Sequence, residues 1–205
     1  RDFYLSTDQT PHYEYMKTCL KLLQWQDVQK GLPRKRWVTK CPQHLEQLPV
    51  LKAVFPDATV AITYRDPVEV IQSAITMIAY GERNFYPHID TQGLLDYWSD
   101  RVETLLRACV RDRDVWPESQ RIDVPFEQFM ADDMAVVRQV RAKAGLPETG
   151  QANREIADFI ASHPRGKHGQ IVYNLERDFG ITPAQLRKRF DFYFEAYPFL
   201  RRPSR

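Results

Sequence analysis

The chain has 205 residues, 43% of them hydrophobic and 12% aromatic, enough apolar material for one globular domain that buries roughly 70% of its unfolded surface. Lys and Arg number 29 against 27 Asp and Glu, a formal net charge of +2, which argues against a chain-wide cationic surface for DNA or RNA. Any anion is therefore expected to bind locally.

The sequence opens at Arg1 in a texture typical of the middle of a domain, so an upstream segment is expected outside this numbering. Thr10-Pro11 starts a helix, with Pro in the first turn and Met16, Cys19, Leu20 and Leu23 at 3/4 spacing. "KRWVTK" (35–40) is a short strand candidate, and "HLEQLPVLKAVF" (44–55) repeats apolar residues at helical spacing until Pro56-Asp57 turns the chain. "TVAITYR" (59–65) is a β-branched run of the kind buried on both faces of a parallel sheet.

A helix is predicted over 67–80 and a longer one over 92–113, with Leu95, Trp98, Val102, Leu105 and Cys109 as its stripe. "QRIDVPF" (120–126) is a further strand candidate, and Asp132 can cap the helix "DMAVVRQVRAKA", which Gly145 and Pro147 stop. A helix over 151–162 precedes the basic loop "HPRGKHGQIVY". The last helix is expected to start at Thr182-Pro183 with Gln185 completing a capping box, and to run through Leu186, Phe190, Tyr193 and Tyr197. Strands alternating with longer helices predict an α/β fold: one domain over 1–205, its central, mainly parallel sheet flanked by helices. Ligands bind such sheets beyond the carboxyl ends of the strands.

Cys19, Cys41 and Cys109 are odd in number and far apart, which suggests neither a disulfide framework nor a zinc site and predicts a reduced, cytoplasmic setting. No apolar run approaches the roughly 18 residues that span a bilayer, so no transmembrane segment is expected. The oligomeric state is not legible.

The most informative stretch is "ITYRDPVEVIQSAITM" (61–76). Asp66 is a good N-cap, Pro67 suits the first helical position, and Glu69 stands where a capping-box partner would. On the helical wheel Val70, Ile71, Ala74, Met77 and Ile78 share an apolar arc, with Ser73 at its border. Arg65 ends the strand and Ser73 follows eight residues later. The pair can share the oxygens of one phosphate at a helix N-terminus; equally, Arg65 can pair with a carboxylate while Ser73 is merely a small boundary residue. Spacing alone leaves both open.

The run "RWVTKCPQHLEQLPVLKAVFPDATVAITYRDPVEVIQSAI" resembles the core of the sulfotransferases that use 3'-phosphoadenosine 5'-phosphosulfate (PAPS), in a bacterial-type branch, and so implies their P-loop-NTPase-like fold. The resemblance assigns Arg65 and Ser73 to the 3'-phosphate of the donor. It continues through "VPFEQFMADDMAVVRQV" (124–140) and "HPRGKHGQIVYNLERDFGI" (163–181), which by matching position put Phe126 near the nucleotide base and Arg165, Lys167 and Gly169 near the 3'-phosphate. The family's first strand and its Gly/Ser/Thr-rich loop, which wraps the 5'-phosphosulfate, have no counterpart in residues 1–205.

Sulfuryl transfer needs in-line attack, cations near the leaving phosphate and a base at the acceptor hydroxyl. The resemblance offers Lys40 as the cation and His44 as the base, although better-known relatives carry their His where Pro42 stands. His163, His168 and Glu46 compete for the base role, and a helix N-terminus would lower the pKa of His44. Without a metal-ligand motif a metal-free mechanism is expected. Trp37, Trp98, Tyr80, Phe85 and Tyr86 are candidate acceptor-pocket aromatics, most of them expected in the core. The acceptor is expected to be a hydroxyl of a lipid, carbohydrate or small alcohol; the competing expectation is a non-catalytic nucleotide-binding or scaffold module that keeps only the 3'-phosphate half-site.

Overall fold

The computed structural model describes residues 2–164, 166, 167, 169 and 171–200. A short helix α1 (Asp2–Ser6) leads into α2 (Thr10–Gln29), which begins with Pro11 as the sequence suggests. The apolar spacing of α2 does not bury it. None of its residues is fully buried, and Leu22, Leu23 and Trp25 are exposed.

The strand predicted at 35–40 does not form. Residues 32–40 run irregular and exposed, because no described strand lies beside them to close a hydrogen-bond ladder. The single helix predicted over 44–55 is instead a 3-10 turn, Pro42–Glu46, followed by α3 (Leu48–Val54). Pro49 has no N–H to give the Leu45 carbonyl, so one helix through both would lack a bond at that point.

Strand β1 (Val60–Tyr64) then enters α4 (Pro67–Glu82), α5 (Thr91–Asp112) and strand β2 (Arg121–Pro125). The two strands pair in parallel, Val60 opposite Arg121 and Tyr64 opposite Pro125, and they are the whole sheet among the described residues. Among the described residues β1 is therefore hydrogen-bonded along one edge only. The remaining elements are α6 (Phe126–Ala131), α7 (Asp133–Lys143), α8 (Gly150–Ser162), α9 (Leu175–Phe179), α10 (Pro183–Lys188) and α11 (Asp191–Ala196).

The β-branched run of β1 is buried on one face, not two. Ile62 and Tyr64 are covered while Ala61 and Thr63 are exposed, because helices pack on a single side of the strand. That side holds the core: Ile71 and Ile75 from α4, Val102 and Cys109 from α5, and an aromatic cluster of Tyr64, Phe190, Tyr193, Phe194 and Tyr197. Along α4 the buried stripe is Val68, Ile71 and Ile75, and Met77, expected on the apolar arc, is 67% exposed. At about 100° per residue Met77 stands on the opposite side of α4 from Val68 and Ile75, so it faces away from the core.

The capping box of Thr182 and Gln185 forms as predicted, but the terminal helix is split. The chain tightens into i to i+3 bonds at Arg189 and Phe190, and this turn drives Phe190, Tyr193 and Phe194 into the core. The strands are further tied by a polar knot. The Tyr64 hydroxyl donates to Asp123 at 2.8 Å, and Arg113 gives Nε to the same hydroxyl at 2.9 Å while its guanidinium pairs with Asp123.

Candidate functional site

The strand-to-helix junction places Arg65. Asp66 caps α4 by accepting from the Val68 N–H at 3.0 Å, and its second oxygen is held by Arg187 of α10, so the backbone at the carboxyl end of β1 is fixed on both sides. The Arg65 side chain leaves from that fixed point. Its Nε donates to Glu69 at 3.1 Å, and its Cζ lies 4.3 Å from the centre of the Phe126 ring, at the carboxyl end of the neighbouring strand. The terminal nitrogens of the guanidinium have no hydrogen-bond partner among the described residues. A carboxylate and an aromatic ring thus orient a fork of donors that remains open to a further anion.

Ser73, two turns along α4, is half-buried, and its hydroxyl oxygen lies 3.4 Å from that of Tyr173. The contact brings the segment after the basic loop against α4. Within that loop the Lys167 amine donates to the Ser162 carbonyl at 3.1 Å, and Gly169 sits at φ +95, a conformation open to glycine and strained for other residues. Arg165 and His168 lie outside the described residues.

A cavity of about 750 Å³ runs along the uncovered side of β1, between that strand, α2 and residues 36–42. Lys40, His44, Arg65 and Phe126 all line it, so four of the residues singled out from the sequence share one space. Ser73, Lys167 and Gly169 are not among its lining residues. Lys40 is exposed and has no hydrogen bond or ion pair among the described residues.

His44 sits in the middle of the 3-10 turn Pro42–Glu46, not on the first turn of an α-helix as expected. Its pKa is lowered, as expected, but burial is the cause: half-covering the ring disfavours the imidazolium. Its Nδ1 lies 2.8 Å from the Tyr13 hydroxyl of α2. Two of the rivals for the base role, Glu46 and His163, are engaged elsewhere. Glu46 is buried in a two-bond fork with Arg101, both contacts at 2.9 Å, and the His163 ring stacks on Phe159 and bonds back to its own helix end.

Of the candidate aromatics, Trp37 lines the cavity and Trp98 packs against the core, while Tyr80, Phe85 and Tyr86 are exposed, away from both roles. Among the described residues no three His, Cys, Asp or Glu side chains are grouped to hold a metal ion. Among the described residues no helix is long and apolar enough to cross a membrane. Three partners were missed in the sequence: Glu69 for Arg65, Tyr173 for Ser73 and Tyr13 for His44. The first was within reach, since Arg65 and Glu69 are four residues apart across a helix start; the other two join segments 100 and 31 residues apart.

The fold and the cavity define an α/β protein whose cations and aromatic ring gather at the carboxyl ends of parallel strands. The sequence profile described as "Sulfotransferase family" matches residues 7–150, and the chain belongs to that family. Two solved structures share the fold. Sulfotransferase STF9 from Mycobacterium avium aligns with a TM-score of 0.80 at 22% identity, over 96% of this chain and 49% of that one. Sulfotransferase STF1 from Mycobacterium tuberculosis H37Rv aligns with a TM-score of 0.75 at 24% identity, over 92% of this chain and 47% of its own. The chain thus spans about half the length of these structures. Among curated proteins no match is found.

Proposed function

We propose that this chain carries the 3'-phosphate half-site and the acceptor-side residues of a sulfotransferase that moves a sulfuryl group from PAPS to a hydroxyl acceptor, such as a lipid, a carbohydrate or a small alcohol. The observation that carries the reading is Arg65. It stands at the carboxyl end of β1, backed by Phe126 and steadied by Glu69, with its terminal donors open. Family membership supports the reaction class, and a site at the carboxyl ends of the strands is where ligands bind parallel sheets.

In this reading Arg65 and Ser73 take the oxygens of the 3'-phosphate, Arg165, Lys167 and Gly169 are assigned near it by their match to the family, and Phe126 offers a face to the adenine as well as to Arg65. Lys40 extends from the cavity wall toward the transferring group and balances charge building on the leaving oxygen. His44 takes the proton from the acceptor hydroxyl, and its lowered pKa keeps the ring neutral for that task near pH 7. The protein's work is positioning and electrostatics, as in other transfers of a charged group through an in-line displacement.

Calorimetry with adenosine 3',5'-bisphosphate and adenosine 5'-monophosphate tests the half-site. Binding of the bisphosphate should exceed that of the monophosphate, and Arg65→Ala should weaken the bisphosphate alone by about 10- to 100-fold, the worth of a hydrogen bond to a charged group. Equal losses for both nucleotides would overturn the 3'-phosphate assignment.

A further inference from the structure

The two ring nitrogens of His44 are not equivalent in this fold. The Tyr13 hydroxyl lies 2.8 Å from Nδ1, with the two rings 5.7 Å apart and inclined at 52°. Whichever group donates, Nδ1 is occupied, so Nε2 is the nitrogen left for a ligand. The contact is made by tertiary structure: α2 packs on α3, and Lys17, one turn after Tyr13, gives its amine to the Val54 carbonyl at 2.7 Å. His44 still lines the cavity beside Lys40.

We propose that Tyr13 is a positioning residue for His44: it accepts a hydrogen bond from Nδ1–H and so leaves Nε2 without hydrogen, ready to take the proton of the acceptor hydroxyl. The inference rests on the sulfuryl-transfer reading above. The step balances. The acceptor oxygen forms the new O–S bond as its proton passes to Nε2. The bond from sulfur to the bridging oxygen of the donor breaks, and its electron pair stays on the nucleotide phosphate. The imidazolium that results keeps Nδ1–H on Tyr13. Burial raises the pKa of that phenol, so its oxygen remains a neutral acceptor throughout.

A packing role would need the Tyr13 ring and not its hydroxyl, and Tyr13→Phe separates the two. Nitrogen NMR of the 205-residue chain with labelled histidine, at neutral pH, reads the tautomer directly. His44 is expected in the Nδ1–H form, moving toward a mixture of tautomers in Tyr13→Phe. An Nε2–H ring in the parent chain, or a His44 spectrum unchanged by Tyr13→Phe, overturns the proposal. Should Tyr13→Phe not fold, the parent spectrum still decides, since an Nε2–H ring makes Tyr13 the donor. Turnover gives a second readout: Tyr13→Phe should lower kcat about five- to tenfold, the worth of one hydrogen bond, with KM for the donor unchanged. In a His44→Ala background it should then cause no further loss, and an equal loss in both backgrounds refutes the coupling. A failure of the chain to bind adenosine 3',5'-bisphosphate would strike the function reading and leave the tautomer result standing.

Discussion

Arg65 and Phe126 meet across the ends of the two strands, the guanidinium carbon 4.3 Å from the ring centre. The strands deliver them there because Tyr64 pairs with Pro125, so the residues that follow the two strands leave the sheet side by side. An aromatic face behind a guanidinium holds the fork in one orientation at an exposed site for about 0.5–1 kcal/mol. Phe126→Leu should therefore weaken adenosine 3',5'-bisphosphate binding about two- to fivefold and Phe126→Tyr should not, measured by calorimetry. Equal affinities in the two variants would show that the ring face has no part in binding.

Glu69 holds Arg65 but also competes with any incoming phosphate for its charge. Glu69→Gln is expected to tighten bisphosphate binding about two- to fivefold, as for removal of a partly exposed ion pair. Arg65→Lys should recover little of what Arg65→Ala loses, because an ammonium cannot span two oxygens as a fork does. A weaker Glu69→Gln complex would mean that orientation of Arg65 outweighs competition.

The acid limb of the rate profile should belong to His44. Its ordinary value is 6.5 and burial lowers it in the folded chain, so the neutral base persists to lower pH than a free imidazole would. The midpoint of the acid limb should therefore lie below pH 6.5. Linkage has the same sign: between the lowered folded value and 6.5 the unfolded chain binds more protons, so this stability is complete above pH 6.5 and is lost as pH falls through the folded value. A rate already falling at pH 7 would place the base elsewhere.

Asp123 should govern acid stability. Its burial opposes ionisation, yet the hydrogen bonds from Arg113 and Tyr64 outweigh that and hold its pKa below the ordinary 3.8. Its contribution is full above that value and disappears as pH falls through the lowered one. Tyr64→Phe removes one donor from the knot and should cost about 1–3 kcal/mol in urea melts, since a half-buried carboxylate loses a charge-assisted hydrogen bond. A melt unchanged from the parent would mean that Arg113 alone satisfies the carboxylate.

Cys109 is buried against Tyr197, and burial pushes its thiol up to about 11. Maleimide at pH 7 should label Cys19 and Cys41, which are half-buried, and spare Cys109 until the chain unfolds. Mass spectrometry of the labelled native protein checks this, and a third native adduct would contradict the packing of α5 on the C-terminal helices.

Much of the junction was legible because its signals are local. Asp66 and Pro67 encode a helix start wherever the rest of the chain lies, and Thr182 with Gln185 encode another. What misled was non-local. The β-branched composition of 59–65 says that the residues suit a strand, and it cannot say how many faces will be covered. "KRWVTK" suits a strand as well, but a strand exists only with a neighbour. Pro49 was visible in 44–55, yet apolar spacing ran across it and read as one helix. Tyr13 gave no signal at all, since its role depends on where α2 lies against the 3-10 turn.

Among the described residues one rim of β1 is unpaired, and this bears on how the isolated chain behaves as a solute. Alternating N–H and C=O groups along Val60–Tyr64 are a template for any extended peptide, and exposed edges of this kind promote pairing between copies. A net charge of +2 supplies little repulsion to hold those copies apart. Pairing between copies along these five residues would be favoured by added salt, which screens charge and leaves hydrogen bonds intact.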